Sequence, residues 1–238
     1  MDHSLLAVES LEAGYGEVQV LWDVSLKALR GQLTAIVGAN GAGKTTTLRA
    51  IAGTITPWGG RVIFDGEDVT RVATHIKAAR GLALVPEARQ LFSAMTVDEN
   101  LELGAFSRRA ARCSGDRLRD VFALFPRLAE RRRQIAGTLS GGEQQMLAIA
   151  RGLMSDPVIL IIDEMSLGLS PVLTYQLFLM LKTLKQSGLT ILLVEQNVHL
   201  ALAVSDYAYV IAEGRVFTEG EPAALAAKPE IRRAYLGL

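Results

Sequence analysis

Residues 38–45 read Gly-Ala-Asn-Gly-Ala-Gly-Lys-Thr, which fits the spacing G-x-x-x-x-G-K-[ST]. The apolar run Leu-Thr-Ala-Ile-Val leads into this stretch and a helical pattern, TTTLRAIA, leads out of it. That is the setting a phosphate-binding loop requires. Glycines let the backbone curl so that successive N–H groups face an anion, and the start of a helix adds partial positive charge. The expected cradle is Gly38, Ala39, Asn40, Gly41, Ala42, Gly43, Lys44, Thr45 and Thr46. Lys44 would reach the β and γ phosphates of a nucleotide, and the Thr45 hydroxyl a magnesium ion. An ordinary glycine-rich turn needs neither Lys-Thr nor the flanking elements. A dinucleotide fingerprint has a different glycine spacing and leaves Lys44 without a role.

Two further groups of residues could act with that loop. In VILIIDE, Asp163 and Glu164 end an apolar run that reads as a buried strand, at the edge where α/β sheets place ligands. Asp163 would hold Mg²⁺ through its water shell, while Glu164 would orient or deprotonate an attacking water. In LSGGEQQMLAIARGLM, residues Ser140, Gly141 and Gly142 precede a helix whose Met146, Ile149, Ala150 and Leu153 share one face. A serine and two glycines at a helix start can form a second anion site. On their own they make only a good N-cap.

The three motifs in this order, with LSGG about a hundred residues after the loop and just before VILIIDE, resemble the ABC-transporter ATPases. The resemblance covers essentially the whole chain. It implies ATP and Mg²⁺ as the bound species. It also implies a head-to-tail dimer in which Ser140, Gly141, Gly142 and Glu143 of one chain face the ATP held by the other. Tyr15, in GYGEVQVL, stands where this family has the aromatic that stacks on adenine. Glu87 replaces the family's usual magnesium-touching glutamine, and Gln196 replaces its γ-phosphate histidine; both join Glu164 as candidate catalytic residues, and Glu87 joins Thr45 and Asp163 as a candidate metal ligand. These two substitutions resemble the Liv-type F branch, the second ATPase subunit of branched-chain (hydrophobic) amino acid importers. The fit departs at Ala88, Met165 and Ser170, where that branch or family has glycine, proline and aspartate.

The branch resemblance implies a subunit that hydrolyses ATP to energise an importer. Its partners would be membrane-spanning permease subunits and a paralogous ATPase subunit as heterodimer, with a homodimer open, and it would link indirectly to a solute-binding protein. Another solute, such as urea or short amides, stays open. So does a weakly hydrolysing regulatory subunit, which Gln196 favours and Glu164 opposes.

The elements that must position these residues follow from pattern. Residues 5–37 read as strands and turns, and GGRVIFDGEDV as a hairpin segment with Asp65-Gly66 at its turn. From about Glu87 to Asp156 the spacing turns helical. Beyond it, buried strands alternate with helices, ending in the hairpin YAYVIAEGRVFTEG. The expected fold class is α/β: a P-loop NTPase (RecA-like) core with a parallel sheet, an antiparallel β subdomain and an inserted helical subdomain. Residues 1–86 and 157–238 would form the core with its β subdomain, and 87–156 the helical part carrying Ser140.

Composition narrows the partners. The chain has 238 residues, 25 Lys+Arg against 25 Asp+Glu and a single cysteine, Cys113. Zero net charge gives no non-specific grip on nucleic acid, one cysteine excludes an internal disulfide, and no N-K-x-D motif reads guanine. Apolar runs fall short of the roughly 20 residues a bilayer demands, and the opening MDHSLLAVES lacks the basic-then-apolar pattern of a signal peptide. The branch resemblance implies a peripheral location, on the cytoplasmic face of the inner membrane. Nine arginines between Arg108 and Arg133 face three acids; a solvated helical face explains them first, contact with a membrane subunit or anionic headgroups second.

Gln196 can hydrogen-bond a phosphate oxygen but cannot share positive charge with it. Gln196→His is therefore expected to raise kcat more than it changes KM. Steady-state ATPase rates check this; an equal or lower rate means the site is adapted to glutamine.

Overall fold

The protein is described by a computed structural model, which covers residues 4–112 and 114–233. Cys113 lies outside the described residues. Strands β1 (Ser4–Tyr15), β2 (Val18–Leu29) and β3 (Leu33–Val37) lead to α1 (Lys44–Ala52). Next come β4 (Gly59–Phe64), β5 (Glu67–Asp68), α2 (Thr74–Ala79) and β6 (Leu82–Val85). A helical stretch follows, with α3 (Val97–Gly104), α4 (Arg108–Ala111), α5 (Ser114–Leu124), α6 (Pro126–Glu130) and α7 (Gly141–Met154). The remainder runs β7 (Ile159–Asp163), α8 (Pro171–Gln186), β8 (Thr190–Glu195), α9 (Val198–Val204), β9 (Tyr207–Ala212) and β10 (Arg215–Gly220). Two short helices, α10 (Pro222–Ala227) and α11 (Pro229–Ile231), end the described chain.

The strands form two sheets, an antiparallel one in the order β2-β1-β4-β5 and a six-stranded one in the order β10-β9-β3-β8-β7-β6. In the second, β9, β3, β8, β7 and β6 run parallel and β10 closes the edge antiparallel. Every residue of β3, β7 and β8 is buried, which is why these strands read as unbroken apolar runs. Pleating then divides them between two cores. Ile159 and Ile161 of β7 face α1 and the antiparallel sheet, whereas Leu160 and Ile162 face Leu101, Leu147 and Phe178 of the helical layer. Asp65 and Gly66, at the β4–β5 turn, both have positive φ, as a two-residue hairpin with this twist demands.

Helical structure starts later than the sequence spacing indicates. Residues 87–95 form a turn-rich loop, and α3 begins at Val97 behind a reciprocal cap. Glu99 N donates to Thr96 Oγ1 at 3.2 Å while Thr96 N donates to Glu99 Oε2 at 2.7 Å, an arrangement whose loss typically costs about 1 kcal/mol. In α7 burial is wider than one stripe, because the helix packs against β6 and β7 on one side and α3, α5 and α6 on others. Leu147 and Ala148 are buried as well as Ile149, Ala150 and Leu153, while Met146 is only partly covered. The arginine-rich stretch is largely a paired surface: Arg109 and Arg117 reach Asp156, Arg119 pairs with Asp116, Arg127 and Arg131 with Glu130, and Arg132 with Asp98. Among the described residues no helix is long and apolar enough to cross a membrane.

Lys77 of α2 is fully buried and donates through Nζ to the Ile51 carbonyl at 2.8 Å, in the last turn of α1. A cation there complements the helix terminus. Burial still pushes its pKa down from 10.5 to about 8, against a smaller upward pull from Asp68. Between these values the unfolded chain binds more protons than the folded one, so stability rises with pH across that window. Thermal midpoints at pH 8 and pH 10 are expected to rise in the parent relative to Lys77→Met, and identical pH dependence in both would refute the burial of this charge.

Candidate functional site

Strand register gathers the candidate residues at one end of the parallel sheet. Val37 lies opposite Glu195, Val194 opposite Asp163, and Ile162 opposite Val85. The loops leaving β3, β7, β8 and β6 therefore start side by side, at the carboxyl ends of parallel strands.

The loop after β3 is shaped by what surrounds it. A Cβ on Gly38 would lie 2.2 Å from the Ile211 carbonyl oxygen, and one on Gly43, where φ is +107°, 2.8 Å from Leu21 Cδ2. Ala42 N donates to Ala39 O at 3.2 Å, and Gly214 N, in the β9–β10 turn, donates to Ala42 O at 2.9 Å. Asn40 and Gly41 are exposed at the tip of the curl. No side chain caps α1, whose N-cap is Gly43 and whose first turn holds no acid. The amides at its start are thus available to an anion.

Lys44, the first residue of α1, is buried inside that curl. Its Nζ donates to Gly38 O at 3.1 Å and Ala39 O at 3.0 Å, and pairs with Glu164 Oε1 at 3.1 Å. Glu164 has φ of +44°, a strained value for a side chain of this type. The hydrogen bond from Glu164 N to Val194 O at 2.9 Å helps hold it there. The two adjacent carboxylates have different partners, since Asp163 Oδ1 accepts from Thr45 Oγ1 at 3.2 Å. Burial pushes Asp163 up to about 6 despite the Thr45 bond, and the charges of Glu164 and Glu87 add to the rise while Lys44 opposes it. Glu87 thus belongs to the same electrostatic neighbourhood, although its own side chain is exposed.

Tyr15 reaches this site from the end of β1. Its hydroxyl accepts from Arg49 Nη1 at 3.1 Å and lies 3.4 Å from Thr46 Oγ1, leaving the ring 42% exposed beside α1. Ser140 and Glu143 form a second reciprocal cap, at the start of α7. Glu143 Oε2 accepts from Ser140 N at 2.9 Å and from Ser140 Oγ at 2.8 Å, and Glu143 Oε1 pairs with Arg131 Nε at 2.9 Å. Burial works against ionisation of Glu143, but the two Ser140 bonds and Arg131 outweigh it and hold the carboxyl below its ordinary range. Ser140 and Gly141 remain exposed, with Gly142 buried against Leu173.

Gln196 is exposed between β8 and α9, next to a buried group that its sequence context does not single out. The carboxylate of Glu195 accepts from Ser166 N at 3.1 Å and Ser166 Oγ at 2.7 Å, which joins the loop after β7 to the end of β8. Burial raises the Glu195 pKa against those bonds. Its only sequence signal is a carboxylate closing an apolar strand. At the three departures noted above, Ala88 is exposed, Met165 is buried, and Ser170 N-caps α8 by accepting from Leu173 N at 3.4 Å, a task serine and aspartate share.

The sequence profile of the family described as ABC transporter matches residues 21–166. The chain belongs to the ABC transporter family. This ABC ATPase is 42% identical over 235 residues to the high-affinity branched-chain amino acid transport ATP-binding protein BraG of Pseudomonas aeruginosa, covering 98% of this chain and 100% of the relative. It is 37% identical to the probable branched-chain amino acid transport ATP-binding protein LivF of Archaeoglobus fulgidus, covering 98% and 99%. Among solved structures, the ADP conformation of an ATP-binding cassette of an ABC transporter superposes with a TM-score of 0.84 at 28% identity, covering 99% of each chain. The α/β fold with its phosphate loop is therefore that of an ABC cassette, and the chain is an ATPase.

The geometry around Lys44 makes a specific demand: any phosphate that pairs with this ammonium competes with Glu164. Glu164→Gln is expected to bind ADP more tightly than the parent, and Lys44→Ala to lose nucleotide binding. Fluorescent-nucleotide titration reads both, and weaker binding by Glu164→Gln would refute the competition.

Proposed function

We propose that this chain is the ATP-hydrolysing subunit of an importer for branched-chain or other hydrophobic amino acids. The observation that carries the chemical part is the convergence of an uncapped helix start, the Lys44–Glu164 pair and the Thr45–Asp163 pair at one sheet edge. Likeness to BraG and LivF supports the cargo.

In this reading the curl of residues 38–43 and the first amides of α1, with Thr46 beside them, hold the ATP phosphates. Lys44 neutralises the β and γ groups, and the exposed Tyr15 ring stacks on adenine. Glu164, released from Lys44 by the arriving phosphates, orients and deprotonates water, and Gln196 donates a hydrogen bond to the γ-phosphate. Mg²⁺ fits the donor set: the Thr45 hydroxyl and the buried Asp163 carboxylate are hard oxygens, and Glu87 adds a third beside them. Burial, and after it the charges of Glu164 and Glu87, raise the Asp163 pKa, and a divalent cation beside it would favour its charged form. Among the described residues no group of three or more His, Cys, Asp or Glu forms a cage, as suits an ion held largely by substrate phosphates. When bound, Mg²⁺ supplies charge neutralisation at the phosphates.

Ser140, Gly141, Gly142 and Glu143 present their helix start to the ATP of a second chain. We place a paralogous ATPase subunit there as heterodimer, since Glu87, Ser170 and Gln196 suit one half of an unequal pair. The membrane-spanning subunits seat in a groove of about 840 Å³ between α1, β6, α3 and α7, with Phe92, Leu103 and Phe106 exposed among its lining residues. Glu87 and Asp163 also line it, which joins membrane contact to nucleotide. The subunit is thus peripheral, on the cytoplasmic face of the membrane, and meets the solute-binding protein only through the permease.

Proteoliposomes holding the complete assembly are expected to take up leucine, and not urea, in an ATP-dependent manner. Glu164→Gln should slow ATP hydrolysis by about 10²–10⁴-fold. ATPase rate against mixing ratio with the paralogue should exceed the sum of the separate chains, and strict additivity would reject the heterodimer.

A further inference from the structure

Between β6 and α3 the chain passes Glu87 and then takes a left-handed backbone at two consecutive residues, Arg89 (φ +60°) and Gln90 (φ +47°). Neither is glycine, and such a conformation persists only where its surroundings impose it. Here α7 imposes it. The Arg89 guanidinium donates through Nε to Gln145 Oε1 at 3.1 Å and through Nη1 to Gln144 Oε1 at 3.2 Å, and it lies beside Gly141. About two turns along the same helix, Arg151 donates through Nη2 to the Arg89 carbonyl at 3.1 Å and stands over the Phe92 ring. Arg89 N closes the turn on Pro86 O at 2.9 Å. The Arg89 side chain and carbonyl are thereby both held by α7, while Asn100 of α3 holds the end of the loop, accepting from Phe92 N at 3.0 Å and donating to Phe92 O at 3.0 Å.

Gln145 supports the same reading. It is buried, and its amide nitrogen has no partner among the described residues. A half-satisfied amide in the core is costly and serves packing poorly. The bond from Arg89 accounts for a polar side chain at that position. The forked guanidinium also explains why arginine stands opposite two amide oxygens, since an ammonium is a point charge without that geometry.

We infer that Arg89 is a positioning residue that locks the Glu87 loop to the head of α7, so that Glu87 beside Asp163 follows the placement of Ser140, Gly141 and Gly142. This rests on the roles given above to Glu87 and to the start of α7. A nucleotide pressed against one chain's α7 would then be felt at that chain's own Glu87.

The test uses the full chain as Arg89→Gly, which tolerates positive φ, beside Arg89→Lys and Glu87→Ala. Amide hydrogen exchange is expected to quicken in residues 86–92 and the first turn of α7, with other regions unchanged. The affinity for ATP without Mg²⁺ should hold. The kcat should fall about tenfold, the scale for losing a residue that orients a metal ligand, with KM unchanged. Guanidinium ion at a non-denaturing concentration should restore part of the rate to Arg89→Gly, and Arg89→Lys should remain impaired. Unchanged exchange, parental kcat, or a loss that guanidinium does not relieve overturns the inference. If Glu87→Ala lowers kcat and Arg89→Gly does not, the strut alone falls. If Glu87→Ala behaves as parent, the role of Glu87 falls with it.

Discussion

A buried ammonium must be compensated, and the compensation of Lys44 organises the rest of the molecule. Two carbonyls from its own loop and one carboxylate from the loop just beyond β7 surround Nζ. The loop must therefore fold back over the first residue of α1, which is why Gly38 and Gly43 sit where any side chain would collide. The same demand brings Glu164 inward on a left-handed backbone, one residue beyond Asp163. In the proposed function, binding chemistry and catalytic chemistry thus share a single contact. A nucleotide cannot engage Lys44 without altering the environment of Glu164.

The sheet makes that contact dependable. Strands β3, β7 and β8 are covered on both faces, so their ends do not shift independently. Each end feeds one candidate loop, and cross-links tie the loop after β7 to the end of β8: Glu164 N to Val194 O, and Ser166 to Glu195. Residues 87–92 differ in kind, because they hang between the sheet and the helical layer and are held by side chains of α7 at Arg89 and of α3 at Phe92.

What could be read from the sequence was local. The phosphate loop, the strand ending in Asp163 and the cap at Ser140 each lie within a short window, and the types and spacing there have few other physical explanations. The turn at Asp65-Gly66 was legible for the same reason. Features set by distant segments were not. Lys77 looks like any surface lysine until α2 is seen to bury it against the end of α1. Arg89 reads as one more loop cation, since its partners lie more than fifty residues away. The breadth of burial on α7 likewise reflects packing on several sides, which periodicity within one helix cannot report.

The backing of the phosphate loop has a consequence for biogenesis. Gly43 is lodged against Leu21 and Gly214, and Gly214 bonds at once to Ala42 and to Trp22. The wall behind the loop is thus assembled from an early strand and a late hairpin, with most of the chain between them. Contacts of such wide sequence separation close late in folding. A nascent chain that has already emitted its entire glycine motif from the ribosome still lacks this wall. The wall behind the phosphate loop is complete only once the hairpin near the carboxyl end has docked, so the shape of this early loop depends on nearly the last strands of the core.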